Sequence, residues 1–139
     1  MPSVPDAKSP FVLRPYRSTD AAFVYSSWLH AYRPSAPVLV KETYYREQHR
    51  LISALIAAPE ESRTVATAPD DDSHLFGFCF GARARLDYVF VKPMYRHLGI
   101  CRALLTALGP VAAYTHPGSL APEGAEFNPY LLFYLPAPD

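Results

Sequence analysis

The sequence predicts a mixed α/β domain in which helices cover a central sheet. Three observations lead to this fold class. Half of the 139 residues are hydrophobic and 19% are charged, which is enough apolar material for one packed core. Short runs rich in β-branched and aromatic residues alternate with segments that have the periodicity of helices. Clusters of Pro and Gly separate these segments and mark the turns between them.

The predicted elements follow the order β-α-α-β-β-β-α-β-loop-β. They are a strand at Phe11–Tyr16, a helix that follows cap candidates at 18–20 and runs to about His30, a helix at Glu42–Ala58, strands at Arg63–Ala68, His74–Phe80 and Leu86–Lys92, a helix at Gly99–Leu108, a strand at Val111–Thr115, a loop at 116–126 and a strand at Tyr130–Leu135. The run at 70–73 is expected to be the turn of a hairpin. Residues 1–9 are expected to form a flexible lead, and residues 10–136 a single domain.

Charge and cysteine content limit the classes of function. The 13 basic and 13 acidic side chains give a formal net charge of zero, whereas proteins that bind nucleic acid usually carry a basic excess. The two cysteines, Cys79 and Cys101, form no C-x-x-C pair and are expected to be reduced thiols. The sequence has neither a signal-peptide core nor a run of about 20 apolar residues. We therefore expect a cytoplasmic protein that binds neither nucleic acid nor membranes.

The most informative segment is residues 86–108, LDYVFVKPMYRHLGICRALLTAL. A hydrophobic strand is followed by a short turn and a helix, and a helix N-terminus presents unpaired N–H groups and the positive end of its dipole. Pyrophosphate is a natural ligand for that geometry. Gly99 allows a ligand to approach the backbone, while Arg96 and Arg102 are placed to donate charge-assisted hydrogen bonds. The segment therefore predicts a site for a phosphorylated ligand.

This segment resembles the signature of the GNAT (GCN5-related N-acetyltransferase) superfamily, in which a strand and a Val/Ile-x-Pro-like step precede Arg/Gln-x-x-Gly-x-Gly/Ala at the start of a helix. The matching residues are Val91, Pro93, Tyr95, Arg96, Gly99, Cys101, Leu104 and Leu105. The opening LRPYRSTD and the strand HLFGFCFG are similar to the family more weakly, so the likeness extends over most of the chain. It implies a mostly antiparallel sheet with a V-shaped parallel splay, flanked by helices.

The resemblance also implies that the domain binds acetyl-CoA along the strand and at the turn. The residues expected to bind it are Val89, Phe90, Val91, Arg96, His97, Leu98, Gly99, Ile100, Cys101 and Arg102. An amine of an unidentified acceptor would attack the thioester directly. The enzyme would supply position, a polarising amide and removal of a proton.

The resemblance assigns proton transfer to side chains near the same strand. Asp87 occupies the place where several family members carry a carboxylate base, on one side of the strand with Val89 and Val91; the alternative is a solvated aspartate at a strand end. Many members use a tyrosine to protonate the leaving thiolate. Tyr114 and Tyr130 flank the short segment where this tyrosine is expected, and packing is the alternative for both.

Aromatic residues on the first two helices are candidates for contact with the acceptor. In the resembled family the region between these helices often lines the acceptor pocket. Trp28 and Tyr32 are therefore candidate substrate-binding residues, and a place in the helix core is the alternative.

Cysteine and histidine are two further residue types that can carry chemistry. Cys101 departs from the Gly or Ala of the family signature, and at a helix N-terminus its thiol pKa tends to fall, so it is either a reactive thiol or a small packing residue. The five histidines show no metal-ligand spacing with one another or with carboxylates, so no metal is expected.

Two classes of function remain open at this point. One is an N-acetyltransferase whose partners are acetyl-CoA and an amine acceptor, which is a small amine, an antibiotic, a peptide N-terminus or a lysine side chain. The other is a catalytically inactive GNAT-like module that binds CoA or a protein partner, which the short segment 116–126 favours. The final strand, with Tyr130, Phe133 and Tyr134, offers a sheet edge for a homodimer.

Overall fold

A computed structural model of the chain describes residues 9–35, 40–116 and 122–132. Within these ranges the helices and strands are β1 Val12–Pro15, α1 Ala21–Tyr32, α2 Lys41–Ala57, β2 Ser62–Ala68, β3 Asp71–Ala82, β4 Ala84–Val91, α3 Ile100–Leu108, β5 Val111–Tyr114 and β6 Glu126–Phe127. Short 3-10 helices lie at Ser18–Asp20, Arg33–Ser35, Pro93–Tyr95 and Pro129–Leu132. The lead predicted at residues 1–9 lies outside the described residues except for Ser9.

The strands form one mixed sheet in the order β1 to β6. β1 to β4 are antiparallel neighbours, whereas β5 runs parallel to β4 and β6 runs parallel to β5. β5 pairs with residues 84–86 of β4, and the Thr115 N–H donates to the Leu86 carbonyl oxygen at 3.1 Å. In the described residues the pairing ends there, and we call the space beside the unpaired edge of β4 beyond Leu86 the wedge. The predicted fold class, a mostly antiparallel sheet with a parallel splay, is confirmed.

α1 and α2 cover one face of the sheet. Val24, Trp28 and Tyr32 recur every four residues along α1, and this spacing gives the helix one buried stripe. The Trp28 ring packs against Phe78 and Phe80 of β3, with ring centroids 6.1 and 5.7 Å apart. No helix in the described part of the chain combines the length and the apolarity needed to cross a membrane.

A β-bulge interrupts β4 at Asp87. Tyr88 and Leu86 are opposite consecutive residues of β3, so Asp87 is the extra residue between them. Strict alternation would put Leu86 and Val89 on opposite faces, yet both pack in the cluster under α3. Leu86, and not Asp87, therefore shares a face with Val89 and Val91, which corrects the expected alternation.

The hairpin between β2 and β3 is tighter than predicted. Asp71 pairs with Ala68, so the turn is Pro69-Asp70 and β3 begins at Asp71 instead of at His74. The predicted turn at 70–73 is therefore mostly strand. Acidic side chains that look like loop residues in the sequence lie at the exposed end of a long strand.

The C-terminal segment also differs from the expectation. Glu126–Phe127 forms the short strand β6 at the end of the predicted loop. Pro129–Leu132, which overlaps the predicted strand Tyr130–Leu135, is a 3-10 helix. A proline lacks the N–H that a strand ladder needs, and its fixed φ suits the first turn of a helix. Residues 133–135 lie outside the described residues, and the homodimer edge stays a prediction.

The substitution Gly77→Ala is expected to destabilise the fold by about 1–3 kcal/mol. A Cβ atom at Gly77 would overlap the Phe90 carbonyl oxygen and lie 3.1 Å from the Val91 Cα, and these backbone atoms move only if β4 moves. Urea unfolding measures the loss. The control is Gly124→Ala, where a Cβ meets open space and only the left-handed backbone, at φ 90°, opposes the change. An unfolding free energy of Gly77→Ala equal to that of the wild type would contradict the close approach of β3 and β4.

Candidate active site

The turn after β4 forms a cavity at the N-terminus of α3. His97 and Gly99 both have left-handed backbone conformations, with φ of 70° and 86°, and α3 begins directly after them at Ile100. The cavity has a volume of about 400 Å³ and is lined by Val91, Tyr95, Arg96, His97, Gly99, Ile100, Cys101 and Arg102. Seven of the ten predicted cofactor-binding residues therefore meet in one cavity; Leu98 is exposed nearby, whereas Val89 and Phe90 lie in the strand.

Gly99 is required by its backbone conformation and not by crowding. A left-handed φ costs other residues about 1–2 kcal/mol. A Cβ atom at this position would meet no atom within 4 Å. The space in front of the helix N-terminus is therefore open to a ligand, whose approach a side chain at this position would block.

Two contacts hold the turn in place. The Arg96 Nε donates to the Val91 carbonyl oxygen at 3.0 Å, which fixes the guanidinium across the end of β4. The Tyr95 ring stacks on Phe76 with centroids 3.9 Å apart, and its hydroxyl hydrogen-bonds to the Nε2 of His74 at 3.1 Å. Because Arg96 uses only Nε in this contact, its two Nη groups are left for an anionic ligand.

The strand β4 directs backbone groups toward the wedge. The Lys92 N–H donates to the Phe76 carbonyl oxygen at 2.8 Å, and in an antiparallel ladder successive residues alternate between bonding to the neighbour and facing away. The peptide groups of Val89 and Val91 therefore face away from β3, toward the wedge. The Phe90 side chain packs on the opposite face with α1. An extended ligand can pair with this edge as a further strand would.

A buried ion cluster lies at the apex of the wedge. The two carboxylate oxygens of Asp87 accept hydrogen bonds from Arg85 Nε and Nη2 at 2.9 and 3.0 Å, and the same Nη2 donates to Glu61 Oε1 at 2.6 Å. All three side chains are buried, and Asp87 is 0% exposed. A solvated Asp87 is therefore wrong, while its catalytic role stays a prediction.

The cluster contains two carboxyl groups and one guanidinium. Burial, together with the hydrogen bond and the negative charge of Asp87, raises the pKa of Glu61 well above its ordinary range. In the described residues Glu61 Oε2 is buried and has no hydrogen-bond partner. With a proton on Glu61, one carboxylate faces one guanidinium, and the cluster is neutral.

A chain of polar side chains runs from Asp87 to α2. The Thr115 hydroxyl donates to Asp87 Oδ1 at 3.1 Å, and the Nδ1 of His116 lies 2.9 Å from the Thr115 Oγ1. The Nε2 of His116 lies 3.3 Å from the side-chain oxygen of half-buried Gln48. Burial lowers the pKa of His116 to about 4, so its ring is neutral near pH 7.

Asp87 was predicted from the sequence, but its hydrogen-bond partners were not. Glu61 and His116 lie far from Asp87 in the sequence and have no spacing that marks them as partners. A local signal was present only for Arg85, which stands two residues before Asp87, because residues at this spacing in a strand are side by side.

Trp28 and Tyr32 lie beside this polar chain in the core. Their exposures are 0% and 4%, and both rings contact His116, with centroids 5.3 and 4.8 Å away. The Trp28 Nε1 is buried without a hydrogen-bond partner in the described part of the molecule. Packing accounts for the burial of both residues, and their contact with an acceptor stays a prediction.

Of the two candidate tyrosines, Tyr114 lies next to the apex of the wedge, where it pairs with Leu86. Tyr114 is half-buried at the end of β5, and its ring lies 5.5 Å from the ring of Phe127. The backbone of Tyr130 belongs to the last 3-10 helix, and its side chain lies outside the described part of the structure. Protonation of a leaving thiolate by either residue stays a prediction.

Cys101 does not have the properties of a reactive thiol. Burial raises the pKa of its thiol, which is the opposite of the lowering expected at a helix N-terminus. The small packing residue is therefore the better description. The described ranges contain no group of three or more His, Cys, Asp or Glu side chains that could hold a metal ion.

Comparison with known proteins places the fold. No family model matches the sequence, and no curated protein matches it. Among solved structures, apo YjaB from Escherichia coli has a TM-score of 0.52 at 21% identity, over 70% of this chain and 63% of YjaB. A GCN5-related N-acetyltransferase from Kribbella flavida has a TM-score of 0.51 at 16% identity, over 70% of this chain and 62% of that protein.

A third similar structure is the GCN5-related glucosamine N-acetyltransferase region of a fungal multi-domain GH3 β-N-acetylglucosaminidase. Its TM-score is 0.51 at 18% identity, over 72% of this chain and 12% of that one. The chain thus has the fold of the GCN5-related N-acetyltransferases, and the resemblance to the GNAT superfamily is confirmed at the level of fold. The chain spans less than two thirds of the length of each of these proteins.

The substitution Glu61→Gln is expected to reduce the loss of stability at alkaline pH. Because the pKa of Glu61 is raised in the folded protein, the folded state keeps a proton that the unfolded state releases above the ordinary glutamate pKa, and stability falls as the pH rises toward the raised value. A glutamine keeps a hydrogen-bond donor at every pH. Urea unfolding from pH 6 to 9 should show a slope of up to about 1.4 kcal/mol per pH unit in the wild type that the variant lacks.

The control for this experiment is Glu60→Gln. Glu60 is the exposed neighbour of Glu61, so its substitution should keep the wild-type slope. A Glu61→Gln variant with an unchanged slope would show that Glu61 is ionised in the folded protein.

Proposed function

We propose that this protein is an acetyl-CoA-dependent N-acetyltransferase that moves an acetyl group to an acceptor amine by direct attack. The observation that carries the proposal is a juxtaposition within a GNAT fold. The cavity at the N-terminus of α3 opens beside the wedge, where the peptide groups of β4 face away from β3.

The charge of the cavity supports binding of a pyrophosphate. Its lining contains Arg96, His97 and Arg102, and no acidic side chain. The N–H groups at the start of α3 are unpaired within the helix and add the positive end of its dipole. Gly99 keeps the approach to them open. These features fit the diphosphate of CoA better than a neutral ligand.

The backbone of β4 supports binding of the pantetheine arm and of the thioester. The peptide groups of Val89 and Val91 would pair with the amides of the arm as a strand would. When bound, acetyl-CoA supplies an acetyl group already activated as a thioester. An N–H of β4 that faces the wedge would polarise the thioester carbonyl, and Asp87 would take the proton that the amine loses.

A CoA-binding module without catalysis is the second candidate. The observation that favours it is the burial of Asp87 against Arg85, because both oxygens of the carboxylate already accept hydrogen bonds. The two candidates agree on the cofactor and differ only in turnover. The two free thiols of the described structure, Cys79 and Cys101, fit the cytoplasm as the location of either candidate.

The substitution Gly99→Glu is expected to abolish binding of acetyl-CoA and of CoA. It places a negative charge where the pyrophosphate would sit, at a position with no protein atom within 4 Å of the new Cβ. Isothermal titration calorimetry with both ligands is the measurement, on samples whose folding is checked by circular dichroism.

Two controls separate charge from backbone strain. Gly99→Ala carries the same left-handed strain without the charge. The strain of about 1–2 kcal/mol is present in both the free and the bound protein, so this variant should bind within about tenfold of the wild type. Ala107→Glu adds the same charge at an exposed position near the other end of α3 and should bind normally. Wild-type affinity in folded Gly99→Glu would exclude the pyrophosphate site.

The substitution Asp87→Asn is expected to leave binding of acetyl-CoA intact and to lower kcat by about 10²–10⁴-fold, the usual contribution of a general base. The assay follows release of the CoA thiol with glucosamine, an aminoglycoside, a peptide with a free N-terminus and a peptide with an internal lysine as acceptors. Full turnover by the variant would remove Asp87 from the mechanism. Binding of acetyl-CoA by the wild type with none of these acceptors acetylated would favour the non-catalytic module.

A further inference from the structure

The proposed transferase mechanism gives no role to the polar side chains between Asp87 and α2. We infer that His116, Thr115 and Asp87 form a proton relay, in which His116 touches the acceptor amine and passes its proton inward through Thr115 to Asp87. The inference rests on the proposed function and names the residues that serve its proton transfer.

Asp87 is too enclosed to meet an amine directly. Its exposure is 0%, Arg85 donates to both of its oxygens, and Thr115 donates to Oδ1 as well. Among the described residues, the hydrogen-bonded route from this carboxylate toward the surface passes through Thr115 and His116 to the half-buried Gln48. A proton therefore reaches Asp87 along this route.

The positions of the protons follow from the number of donors. The Thr115 hydroxyl has one proton and donates it to Asp87, so the 2.9 Å contact with His116 requires that the Nδ1 of His116 carry a proton and donate it to Thr115. A neutral imidazole then has a bare Nε2. The Gln48 amide can present its NH₂ group to that atom, because the two ends of an amide are interchangeable in such assignments. Every donor in the chain thus points toward Asp87.

The surroundings of His116 keep its ring neutral. Trp28 and Tyr32 of α1 and Tyr88 of β4 contact the ring edge-on, at centroid distances of 5.3, 4.8 and 6.0 Å. Burial raises the pKa of each of these two tyrosines to about 12, so neither carries charge near pH 7. Asp87 is the remaining ionised group along the chain, and its charge draws a proton toward it.

The transfer step conserves protons. As the amine attacks the thioester, its N–H bond breaks and the proton joins the Nε2 of His116. The Nδ1 proton of His116 moves to the Thr115 oxygen, and the Thr115 hydroxyl proton moves to Asp87 Oδ1. Three bonds to hydrogen break and three form, so one proton passes from the amine to Asp87 and the imidazole stays neutral. The thiolate that leaves is protonated from water, and Asp87 returns its proton along the same path.

Where the half-buried Gln48 side chain moves aside, an amine can meet the Nε2 of His116, which is itself only 2% exposed. Its ring lies against Tyr88, the residue before Val89, whose peptide group faces the wedge. Its Nε2 faces Gln48 on α2, which solvent reaches. An amine in the place of the Gln48 side chain would therefore contact the unprotonated Nε2 of His116.

The first test is the tautomer of His116 in the wild-type protein, measured from the ring ¹⁵N chemical shifts of histidine-labelled protein and assigned with the variant His116→Asn. The relay requires a neutral ring at pH 7 with the proton on Nδ1, the less common tautomer of free histidine. A proton on Nε2 would reverse the Thr115–His116 hydrogen bond and overturn the relay. This measurement needs neither an acceptor nor a variant that folds differently.

The second test compares Thr115→Val with Thr115→Ser, using whichever amine of the acceptor panel gives the highest turnover. Valine has the shape of threonine without the hydroxyl and should lower kcat by roughly 10-fold or more, while KM for acetyl-CoA stays the same. Serine restores the hydroxyl and should restore kcat to within about threefold. Equal kcat in Thr115→Val and the wild type would overturn the relay. A panel with no acetylated amine counts against the transferase, whereas the tautomer still decides the direction of the chain.

Discussion

Arg85 satisfies two buried carboxyl groups at the point where β4 and β5 separate, and much of the site depends on that interaction. Glu61 precedes β2 and Asp87 lies in β4, so the guanidinium joins the start of one strand to the middle of another. Leaving one partner of a buried ion pair alone costs about 3–5 kcal/mol. That penalty holds the apex of the wedge in one geometry. Thr115, which follows β5, donates a hydrogen bond to Asp87 of this cluster, and His116 hydrogen-bonds to Thr115.

The bulge at Asp87 distributes the side chains of β4 between the two layers. Without the extra residue, the aspartate would belong to the row of Val89 and Val91 and face the apolar cluster under α3. With it, Leu86 fills that apolar position and the carboxylate is free to meet Arg85. The bulge thus allows β4, whose sequence is mostly hydrophobic, to carry a charged side chain in its middle. That side chain meets Arg85 and not the apolar cluster.

The sequence was informative where chemistry is local and silent where it is not. The strand, turn and helix of residues 86–108 are consecutive, and seven of the ten cofactor-binding residues predicted from their order line one cavity, while their binding of a cofactor stays a prediction. The partners of Asp87 are Glu61, which precedes β2, Arg85 in β4 and Thr115 after β5, and only the spacing of Arg85 relates any of them to Asp87 in the sequence. Register was equally inaccessible, because alternation in the sequence places Asp87 with Val89 and only the pairing with β3 reveals the bulge. The last strand was misplaced because its apolar residues outweighed the proline that precedes them.

The pairing of β4 with β5 ends at Leu86, and this divides β4 into two parts with different neighbours. The first part is bonded on both sides, like any interior strand, and its residues serve the architecture of the sheet. Among the residues that the structure describes, the second part pairs only with β3 and keeps an open edge. An open sheet edge can pair with a further extended chain, and α3 packs against β4 beside this one. The two halves of one strand thus differ in what their backbone offers: the first half is fully paired, and the second half has the edge along which the proposed ligand would lie.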